Sequence, residues 1–539
     1  MLLQQLLGQW PALITLCGLG VVARLFHNKY GHGIAEVPGP FLAAYTDLWR
    51  FCLVWGGRPE KAHIKLHERY GPLVRLGPNM VSVSDPAALK VVYGLSAGYV
   101  KSGFYPVQQQ AISAKGDLLQ GMFNTTDEKY HARLRRSVNN AYAMSSLVHF
   151  EPLVDSTTVE FLKQLTERYA DKPDQICDFG KWLQFYAFDV IGELTFSKRL
   201  GFVDRGVDVD NIISDLERAL FYFSVVGQIP ALDKLLLKNP VRIWFSRMGF
   251  LNATSPVAIF AKTHMAHRLS GAIQEEEEEE EEKKATSRKE QPTRRDFLSR
   301  FLEAGQKDPA FITPERVLSL TSANVFAGSD TTAISLRTIF YYLLKTPDKL
   351  KRLMRSIEEA EKTGLFTRED KLVRWAEANE LPYLGAVIKE GLRIHPAAGL
   401  PLERIVPKGG ATLSGQFVPP GTIVGISAWT LHRNAQIFGD DVDTFRPERW
   451  LDDPEKAAVM NQFLFSFGGG ARTCAGKNVS YLEMYKLVPA ILRTFDIQLA
   501  DPNKEWHLSN RWFVKQSDFY KVYLYCKAVS ILLVLILGI

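Results

Sequence analysis

A glycine-rich loop around one cysteine constrains this chain more than any other stretch. The loop FGGGARTCAG, Phe467 to Gly476, holds four glycines, one arginine and one cysteine in ten residues. Glycine lets a backbone take up positive φ and approach a bulky group closely. We therefore expect this loop to lie against something large, with Cys474 facing it. A thiolate there needs backbone N–H groups or a metal to stay ionised.

The other cysteines narrow the role of this thiol. The chain has five, and they are scattered without paired spacing, which predicts a reducing environment rather than a disulfide framework. No second cysteine or histidine stands at zinc-ligand spacing, and no partner base for a nucleophile is evident nearby. The remaining role is that of an axial ligand to haem iron, which favours cleavage of the O–O bond.

A helix of about thirty residues is predicted between Thr313 and Pro347. Thr313 suits the N-cap, and a proline follows at the first helical position. The middle of the helix, AGSDTT, is poor helix material, because Gly328 costs about 1 kcal/mol against alanine and its hydroxyl groups compete for backbone hydrogen bonds. Asp330 and Thr331 share a face with the alanine three and four residues before them. This polar patch predicts a function.

Length and composition favour one large catalytic unit. The 539 residues are 46% hydrophobic and 23% charged, with a net charge of only +6. That excess is too small to predict nucleic-acid binding, and it suits an anionic membrane or an acidic partner. Helical patterns predominate, with short β-like stretches such as residues 73–77 and 80–84. We expect a mainly α fold with small β-sheets.

The N-terminus resembles a membrane anchor. Residues 2–22 are mostly apolar and long enough to cross a bilayer of about 30 Å. Arg24 and Lys29 follow, so the positive-inside rule places the rest of the chain in the cytosol. We expect a transmembrane anchor at residues 1–25. A cleaved signal peptide is the alternative, but the positive charges follow the apolar stretch instead of preceding it.

The remaining boundaries follow from composition. A basic and proline-containing hinge is expected at residues 26–45, and the catalytic domain at residues 46–516. The run Glu275–Glu282, followed by two lysines, repels itself and predicts a solvated, disordered insert over residues 275–284. Residues 517–539 form an atypical tail that ends in an apolar run. This run is shorter than a membrane span of about twenty residues. Three interpretations stay open, namely a buried terminal segment, a membrane-dipping tail and an artefact of the gene model.

Five stretches, in the same order, resemble motifs of the cytochrome P-450 superfamily. They are HARLR at residues 131–135, AGSDTT at 327–332, EGLR at 390–393, FRPERW at 445–450 and the cysteine loop at 467–476. The resemblance implies one large haem-thiolate domain, in which haem b is bound by Cys474 as thiolate and Phe467 packs over the proximal face. It also implies four haem-propionate ligands, which are His131, Arg135, Arg404 and Arg472.

The resemblance assigns further residues. Asp330 and Thr331 would deliver protons during oxygen activation, and Gly328 would leave a notch for oxygen. A buried charge network would have a structural role, and its members are Glu390, Arg393 and Arg449. The expected substrate pocket is apolar, with the candidate residues Phe104, Tyr105, Phe221, Phe326 and Ala398.

The sequence therefore predicts a haem-dependent monooxygenase in the endoplasmic reticulum membrane, with its catalytic domain in the cytosol. It would oxidise an apolar small molecule with O2 and electrons from an NADPH-cytochrome reductase, because the chain shows no Gly-x-Gly-x-x-Gly opening a helix. Residues 185–202 and 323–337 most resemble fungal secondary-metabolism members similar to pisatin demethylase. Two alternatives are a haem-thiolate isomerase or dehydratase that needs no reductase, and a non-catalytic haem-binding membrane protein.

Overall fold

Helices form most of the structure. The computed structural model describes residues 2–95, 97–285, 296–518 and 521–527. Its helices are, in chain order, α1 Leu2–Tyr30, α2 Leu48–Trp55, α3 Pro59–Tyr70, α4 Ala88–Tyr93, α5 Glu128–Val138, α6 Met144–Leu147, α7 Glu151–Tyr169, α8 Phe179–Phe196, α9 Phe202–Arg205, α10 Ile212–Val226, α11 Pro240–Arg247, α12 Pro256–Ala285, α13 Phe297–Lys307, α14 Pro314–Lys345, α15 Pro347–Lys362, α16 Trp375–Asn379, α17 Pro382–Ile394, α18 Ala428–Leu431, α19 Ala435–Phe438, α20 Pro454–Phe463 and α21 Lys477–Thr494.

The strands are short and form small sheets. They are β1 Leu73–Gly77, β2 Met80–Val83, β3 Val100–Lys101, β4 Cys177–Asp178, β5 Arg404–Ile405, β6 Ala411–Leu413, β7 Gln416–Val418, β8 Ile423–Ile426, β9 Phe495–Leu499, β10 His507–Arg511, β11 Phe513–Ser517 and β12 Lys521–Cys526. The largest sheet has the order β1-β2-β8-β5-β3, and only its β2–β8 pair is parallel. The β4-β12-β9 sheet and the hairpins β6-β7 and β10-β11 are antiparallel. The expectation of a mainly α fold with small sheets is confirmed.

Helix α14 crosses the centre of the molecule. It begins at Pro314 and ends at Lys345, as the proline signals at both ends predicted. Along most of its length from Thr332 to Leu343 the side chains are buried, because other helices surround it. It packs against α8, α12, α17 and α21. The polar middle of α14 is thereby fixed between α8 on one side and α21, the helix that follows the cysteine loop, on the other.

The N-terminal anchor is not supported as a transmembrane segment. Residues 2–30 do form one helix, α1. Within the described ranges, however, no helix combines the length and the apolarity that crossing a membrane requires. The last turn of α1 and the segment that follows it are docked on the domain, because the buried Arg75 of β1 donates hydrogen bonds to the carbonyl oxygens of Asn28 at 2.6 Å, Lys29 at 2.9 Å and Ile34 at 3.3 Å. Ile34 and Val37 are also buried.

Two further boundaries differ from the expected ones. Helix α12 continues through Glu275–Glu282 to Ala285, where a disordered insert was expected. Glutamate has a high helix propensity, and here the run extends a helix that has already begun. At the other end, β12 is the central strand of its sheet, so the domain extends past residue 516 to at least residue 526. The terminal apolar run, residues 528–539, lies outside the described residues.

Candidate active site

The cysteine loop needs its glycines. Gly468 and Gly470 have φ of 68° and 61°, a region that favours glycine. A Cβ atom on Gly470 would overlap the carbonyl oxygen of Tyr93, so a side chain at that position would clash with α4. The loop is closed by a hydrogen bond from the Cys474 N–H to the Phe467 carbonyl oxygen at 2.9 Å. This bond holds the cysteine just before α21.

Backbone donors surround the Cys474 sulfur. The side chain is exposed, yet the protein around it raises the pKa of the thiol through desolvation. A sulfur that is exposed but partly desolvated by the surrounding protein is expected on the wall of a cleft. The backbone N–H groups of Gly476 and Lys477 and the positive charges of Arg135 and Lys477 favour the thiolate. Because desolvation outweighs these groups, the sulfur would need a positively charged partner such as haem iron to stay ionised.

Two predicted residues support this loop directly. The Phe467 ring lies 5.5 Å from the Tyr481 ring, centroid to centroid, and packs against the main core. Arg135 of α5 donates hydrogen bonds to the carbonyl oxygens of Ala471, at 3.2 Å, and Thr473. In the structure Arg135 thus binds the loop backbone, so its predicted role as a propionate ligand would have to be shared with this one.

Arg472 is already paired with a carboxylate. Its Nε and Nη2 donate to the Glu128 carboxylate at 3.0 and 2.7 Å, and its Nη1 donates to the Met122 carbonyl oxygen at 3.1 Å. The sequence analysis expected Arg472 to bind a haem propionate and missed Glu128, which opens α5 three residues before His131. A propionate here would share Arg472 with Glu128.

The remaining predicted cations gather nearby. His131 is buried, and desolvation, together with the charges of Arg472, Lys101, Arg135 and Arg404, lowers its pKa to about 3. The imidazole is therefore neutral at pH 7. Arg404 is buried too, and it donates to the Tyr105 hydroxyl at 3.3 Å and to the Glu403 carbonyl oxygen at 2.8 Å.

Lys101, which the sequence analysis missed, completes this group. We call Lys101, Arg135, Arg404 and Arg472 the cation cluster, since each of the four contributes to the field at His131. Glu128 is the carboxylate within it. Four basic groups beside one carboxylate leave an excess of positive charge close to the cysteine loop. Haem carries two propionates, so the residues present fit that group, with Cys474 as the iron ligand and the cation cluster for the carboxylates.

The polar patch of α14 is ordered by hydrogen bonds. The Thr331 hydroxyl donates to the Ala327 carbonyl oxygen at 2.8 Å, and Asp330 accepts a hydrogen bond of 2.5 Å from the Gln184 amide of α8. The oxygen of that amide accepts from Arg337 at 2.9 Å, so the arginine fixes which end of Gln184 faces Asp330. In the described part of the chain no hydrogen bond joins Asp330 to Thr331.

Two neighbours of this patch have packing roles. A Cβ atom on Gly328 would lie 2.9 Å from the Ile191 side chain, so this glycine allows α14 and α8 to approach closely. The expectation that Gly328 leaves a notch for oxygen stays a prediction. One turn further along α14, the Thr332 hydroxyl lies 2.9 Å from the Ser480 hydroxyl of α21. The polar patch thereby contacts α21, the helix that follows Cys474.

The structure brings the expected charge network together. Arg393 donates two hydrogen bonds of 2.8 Å to the Glu390 carboxylate, and Arg449 donates one of 3.0 Å. The Trp450 indole N–H donates to the same carboxylate at 3.0 Å. Glu390 and Arg393 are fully buried, and Asp441 supplies a second carboxylate to Arg449 at 2.9 Å. We call these residues the Glu390 network.

Most of the predicted substrate residues form one aromatic cluster. Phe104 lies 5.4 Å from Tyr105 and 4.6 Å from Phe223, measured between ring centroids. Phe221 and Phe326 pack at its margin. Ala398 forms a backbone bridge to Phe513 on the β10–β11 hairpin, and Phe513 packs at the margin of the same cluster.

Trp512 at the tip of that hairpin is a further residue that the sequence analysis missed. Its ring contacts Phe104, Tyr105, Phe223 and the exposed Phe123, and its backbone has an unusual φ of 78°. A tryptophan is costly in this conformation, so the buried ring contacts must compensate. No local sequence pattern indicates such a turn.

The cysteine loop, the cation cluster and the polar helix patch together define a haem-thiolate protein. The family model for cytochrome P450 matches residues 47–524. The chain belongs to the cytochrome P450 family, and it is a monooxygenase whose haem iron is bound by a cysteine thiolate. It is 46% identical to a cytochrome P450 monooxygenase of Aspergillus terreus over 86% of this chain and 90% of the relative.

Other fungal relatives agree. The cytochrome P450 monooxygenase cicH of Emericella nidulans is 40% identical over 90% of this chain and 93% of its own length. A cytochrome P450 monooxygenase of Aspergillus flavus is 38% identical over 94% and 96% of the two chains. The narrower resemblance to pisatin demethylase stays a prediction.

Proposed function

We propose that this chain is a reductase-dependent monooxygenase of fungal secondary metabolism, which transfers one oxygen atom of O2 to an apolar small molecule and releases the other as water. The contact between Thr332 and Ser480, at 2.9 Å, carries this proposal, because it holds the polar patch of α14 beside the helix that follows Cys474. The haem supplies the iron chemistry that activates O2. The fungal relatives are named as monooxygenases, which supports the reaction class.

Asp330 and Thr331 would handle the two protons that this reaction consumes. The Thr331 hydroxyl uses its hydrogen to donate to the Ala327 carbonyl oxygen. Its oxygen lone pairs can therefore still accept a hydrogen bond from a donor such as water. Asp330 is buried, and Gln184 orients it through a direct hydrogen bond. In this proposal Asp330 passes protons into the site and Thr331 positions the water that carries them.

The Asp330→Asn and Thr331→Ala variants test these proton roles. We expect product formation to fall by roughly 10²-fold, the usual contribution of a positioned proton donor, while NADPH consumption continues and hydrogen peroxide rises. Ser322→Ala is the matched control, since Ser322 also donates to a carbonyl oxygen of its own helix, that of Leu318 at 2.7 Å. It lies about two and a half turns before Thr331. Normal coupling of NADPH to product in both variants would refute the roles.

The reaction class has its own test at Cys474. The reduced, carbon-monoxide-bound protein should show the red-shifted Soret band of a thiolate ligand, and Cys474→Ala should lose it. Product formation should require NADPH, O2 and a reductase. Substrate conversion without NADPH or O2 would instead indicate an isomerase or dehydratase, and a normal Soret band without any turnover would indicate a non-catalytic haem protein.

The aromatic cluster supports an apolar substrate. Phe104, Tyr105 and Phe223 are buried beside Trp512, and Phe326 of α14 lies at the margin of the same cluster. Phe326 precedes Asp330 by four residues, one turn along α14, so the cluster adjoins the polar patch. A substrate bound there would be held by apolar contacts and few polar ones.

Reductase docking is proposed at the start of α21. Lys477 is exposed. Desolvation, together with the positive charge of the nearby Lys477, lowers the pKa of Lys389 on α17. A basic patch beside the cysteine loop suits an acidic reductase surface. Lys477→Glu should slow electron transfer from the reductase, mainly at low ionic strength, and unchanged coupling would refute the docking site.

We also propose that the enzyme acts on the cytosolic face of the endoplasmic reticulum and touches the lipid surface. Exposed apolar side chains on α1 include Leu19, Val22 and Phe26, and another exposed group follows α10 at residues 235–251, with Trp244 and Phe250. Large exposed apolar patches mark interaction sites. Trp244→Asp should weaken binding to lipid vesicles, whereas Phe417→Asp, on the exposed face of β7, should not.

A further inference from the structure

A polar pocket lies where the end of α1 meets the largest sheet. It has a volume of about 140 Å³, and it is lined by α1 and the turn after it, by the start of α2 and by the β1–β2 turn. We call this space the α1 pocket. Its polar side chains are Arg24, Asn28, His32, Asp47, Arg50 and Asn79. The pocket shares no residue with the cysteine loop, the cation cluster or the aromatic cluster.

Positive charge prevails around the α1 pocket. Arg50 is balanced by the Asp47 carboxylate, which lies 2.8 Å from its Nε. In the described part of the chain, neither Arg24 nor Arg75 forms a salt bridge. Desolvation, together with the charges of Arg75 and Arg24, lowers the pKa of His32. A negatively charged group in the pocket would relieve this excess of positive charge.

The same pocket has a buried acceptor without a partner. Asn28 is 8% exposed, and its NH2 group donates to the Tyr45 carbonyl oxygen at 2.7 Å. That bond orients the amide and leaves Oδ1 without a hydrogen bond from any residue that the structure describes. A buried polar atom in this state is costly. Since an anion donates no hydrogen bond, a ligand that satisfies the whole pocket also carries a donor.

Exposed apolar side chains adjoin the polar lining. Leu25 and Phe26 follow Arg24 on α1, and Leu48 follows Asp47 on α2, and all three apolar side chains are exposed. Such surfaces mark sites of interaction. A ligand with a charged head and apolar tails matches a polar pocket with apolar neighbours.

We propose that the α1 pocket binds the headgroup of a lipid that carries both a phosphate and a primary ammonium. The phosphate would bind to Arg24 and His32, and the ammonium would donate to Asn28 Oδ1 and to the Asp47 carboxylate. The acyl chains would cover the exposed apolar side chains of α1. The lipid source rests on the contact with a lipid surface in the proposed function.

Calorimetric titration with a short-chain lipid tests the phosphate contact. Dihexanoyl phosphatidylethanolamine, below its micelle concentration, is titrated into the haem-loaded full-length protein. Arg24→Gln should weaken binding about tenfold, the loss of one charge-assisted hydrogen bond. Lys29→Gln is the matched control, because it removes the same charge from a side chain of α1 that does not line the pocket, and it should keep the parent Kd. Equal weakening in the two variants, or no binding by the parent protein, would overturn the site.

Two further ligands test the ammonium contact and the lipid source. Dihexanoyl phosphatidylcholine has the same phosphate but no N–H donor, so the parent protein should bind it about tenfold more weakly. Equal Kd values for the two lipids would overturn the ammonium contact. Phosphoethanolamine lacks the acyl chains and should bind more weakly than the lipid, whereas binding of equal strength would overturn the lipid source in favour of a soluble phosphate compound. The thiolate Soret band and NADPH-dependent turnover are measured separately, so a failure of lipid binding is distinguishable from a failure of the proposed function.

Discussion

The Glu390 network and the cation cluster both contain buried arginines, but they differ in how their charge is balanced. In the network, Glu390 accepts hydrogen bonds from Arg393, Arg449 and Trp450, so every charge has a partner from the same chain. In the cation cluster, Glu128 engages Arg472, whereas Lys101 and Arg404 form no salt bridge with any carboxylate of the described chain.

This difference separates a structural role from a binding role. In the Glu390 network the charges are balanced by residues of the same chain, so the network needs no ligand. It stabilises the segment between α17 and the cysteine loop. A buried group with excess positive charge is complete only when an anion arrives, since isolated buried charges are costly. Mutations should therefore affect folding stability at the first site and ligand retention at the second.

Breaking the Glu390 network should have the largest effect on stability. Glu390→Gln leaves Arg393 and Arg449 buried without their carboxylate, and breaking a buried ion pair typically costs about 3–5 kcal/mol. We expect a loss of this size in the free energy of unfolding, measured by urea denaturation of the haem-loaded protein. The matched control is Asp452→Asn, which breaks the exposed 3.2 Å pair with Arg446 and should change stability by about 0.5 kcal/mol or less. Similar losses in the two variants would mean that the network is not structural.

An intermediate effect is expected at His432, which links the Glu390 network to the cysteine loop. Its Nδ1 donates to the Arg393 carbonyl oxygen at 2.9 Å, and its Nε2 accepts from the Phe465 N–H at 2.8 Å, so both ring nitrogens are used in the neutral form. Burial lowers the pKa of His432 to about 3. Below about pH 6.5 the unfolded chain binds a proton that the folded chain does not, so stability should fall as the pH drops from about 6.5 towards 3.

This pH dependence can be measured from urea midpoints at a series of pH values. His432→Gln removes the titrating group but keeps a carbonyl oxygen and an amide at this position, so its stability should decline less steeply with acid than that of the parent. His63 and His395 are also buried with pKa values of about 3 and remain in both proteins, so the comparison isolates His432. Parallel pH profiles for the two proteins would contradict this link.

The sequence predicted the features that depend on local spacing. The glycines around Cys474 predicted a tightly folded loop, and the structure closes it with a bond to Phe467. Prolines at both ends predicted the extent of α14. Glu390 and Arg393 were expected to meet because residues three apart share a helix face. Each of these inferences needed only neighbouring residues.

The missed features depend on residues far apart in the chain. Lys101 and Arg404 meet through strands of two residues each, too short for a reliable β pattern. Glu128 faces Arg472 across more than three hundred positions, and β12 becomes a strand because β9 and β4 flank it. The apolar N-terminal stretch misled in a different way. It predicted a transmembrane anchor, whereas residues 2–30 form a helix and, within the described ranges, no helix is apolar enough to cross a membrane.

The smallest effect should come from Glu128, which offers the same ion-pair chemistry as Glu390 in a more exposed setting. Its side chain is 36% exposed, and such pairs contribute about 1 kcal/mol or less. Glu128→Gln should therefore change the urea midpoint of the haem-loaded protein only slightly, in contrast to Glu390→Gln. It also frees Arg472 to bind a propionate, so haem transfer to apomyoglobin should slow or stay unchanged. A large loss of stability, or faster haem release, would show that Glu128 completes the cation cluster as Glu390 completes its network, and that the two regions do not differ in kind.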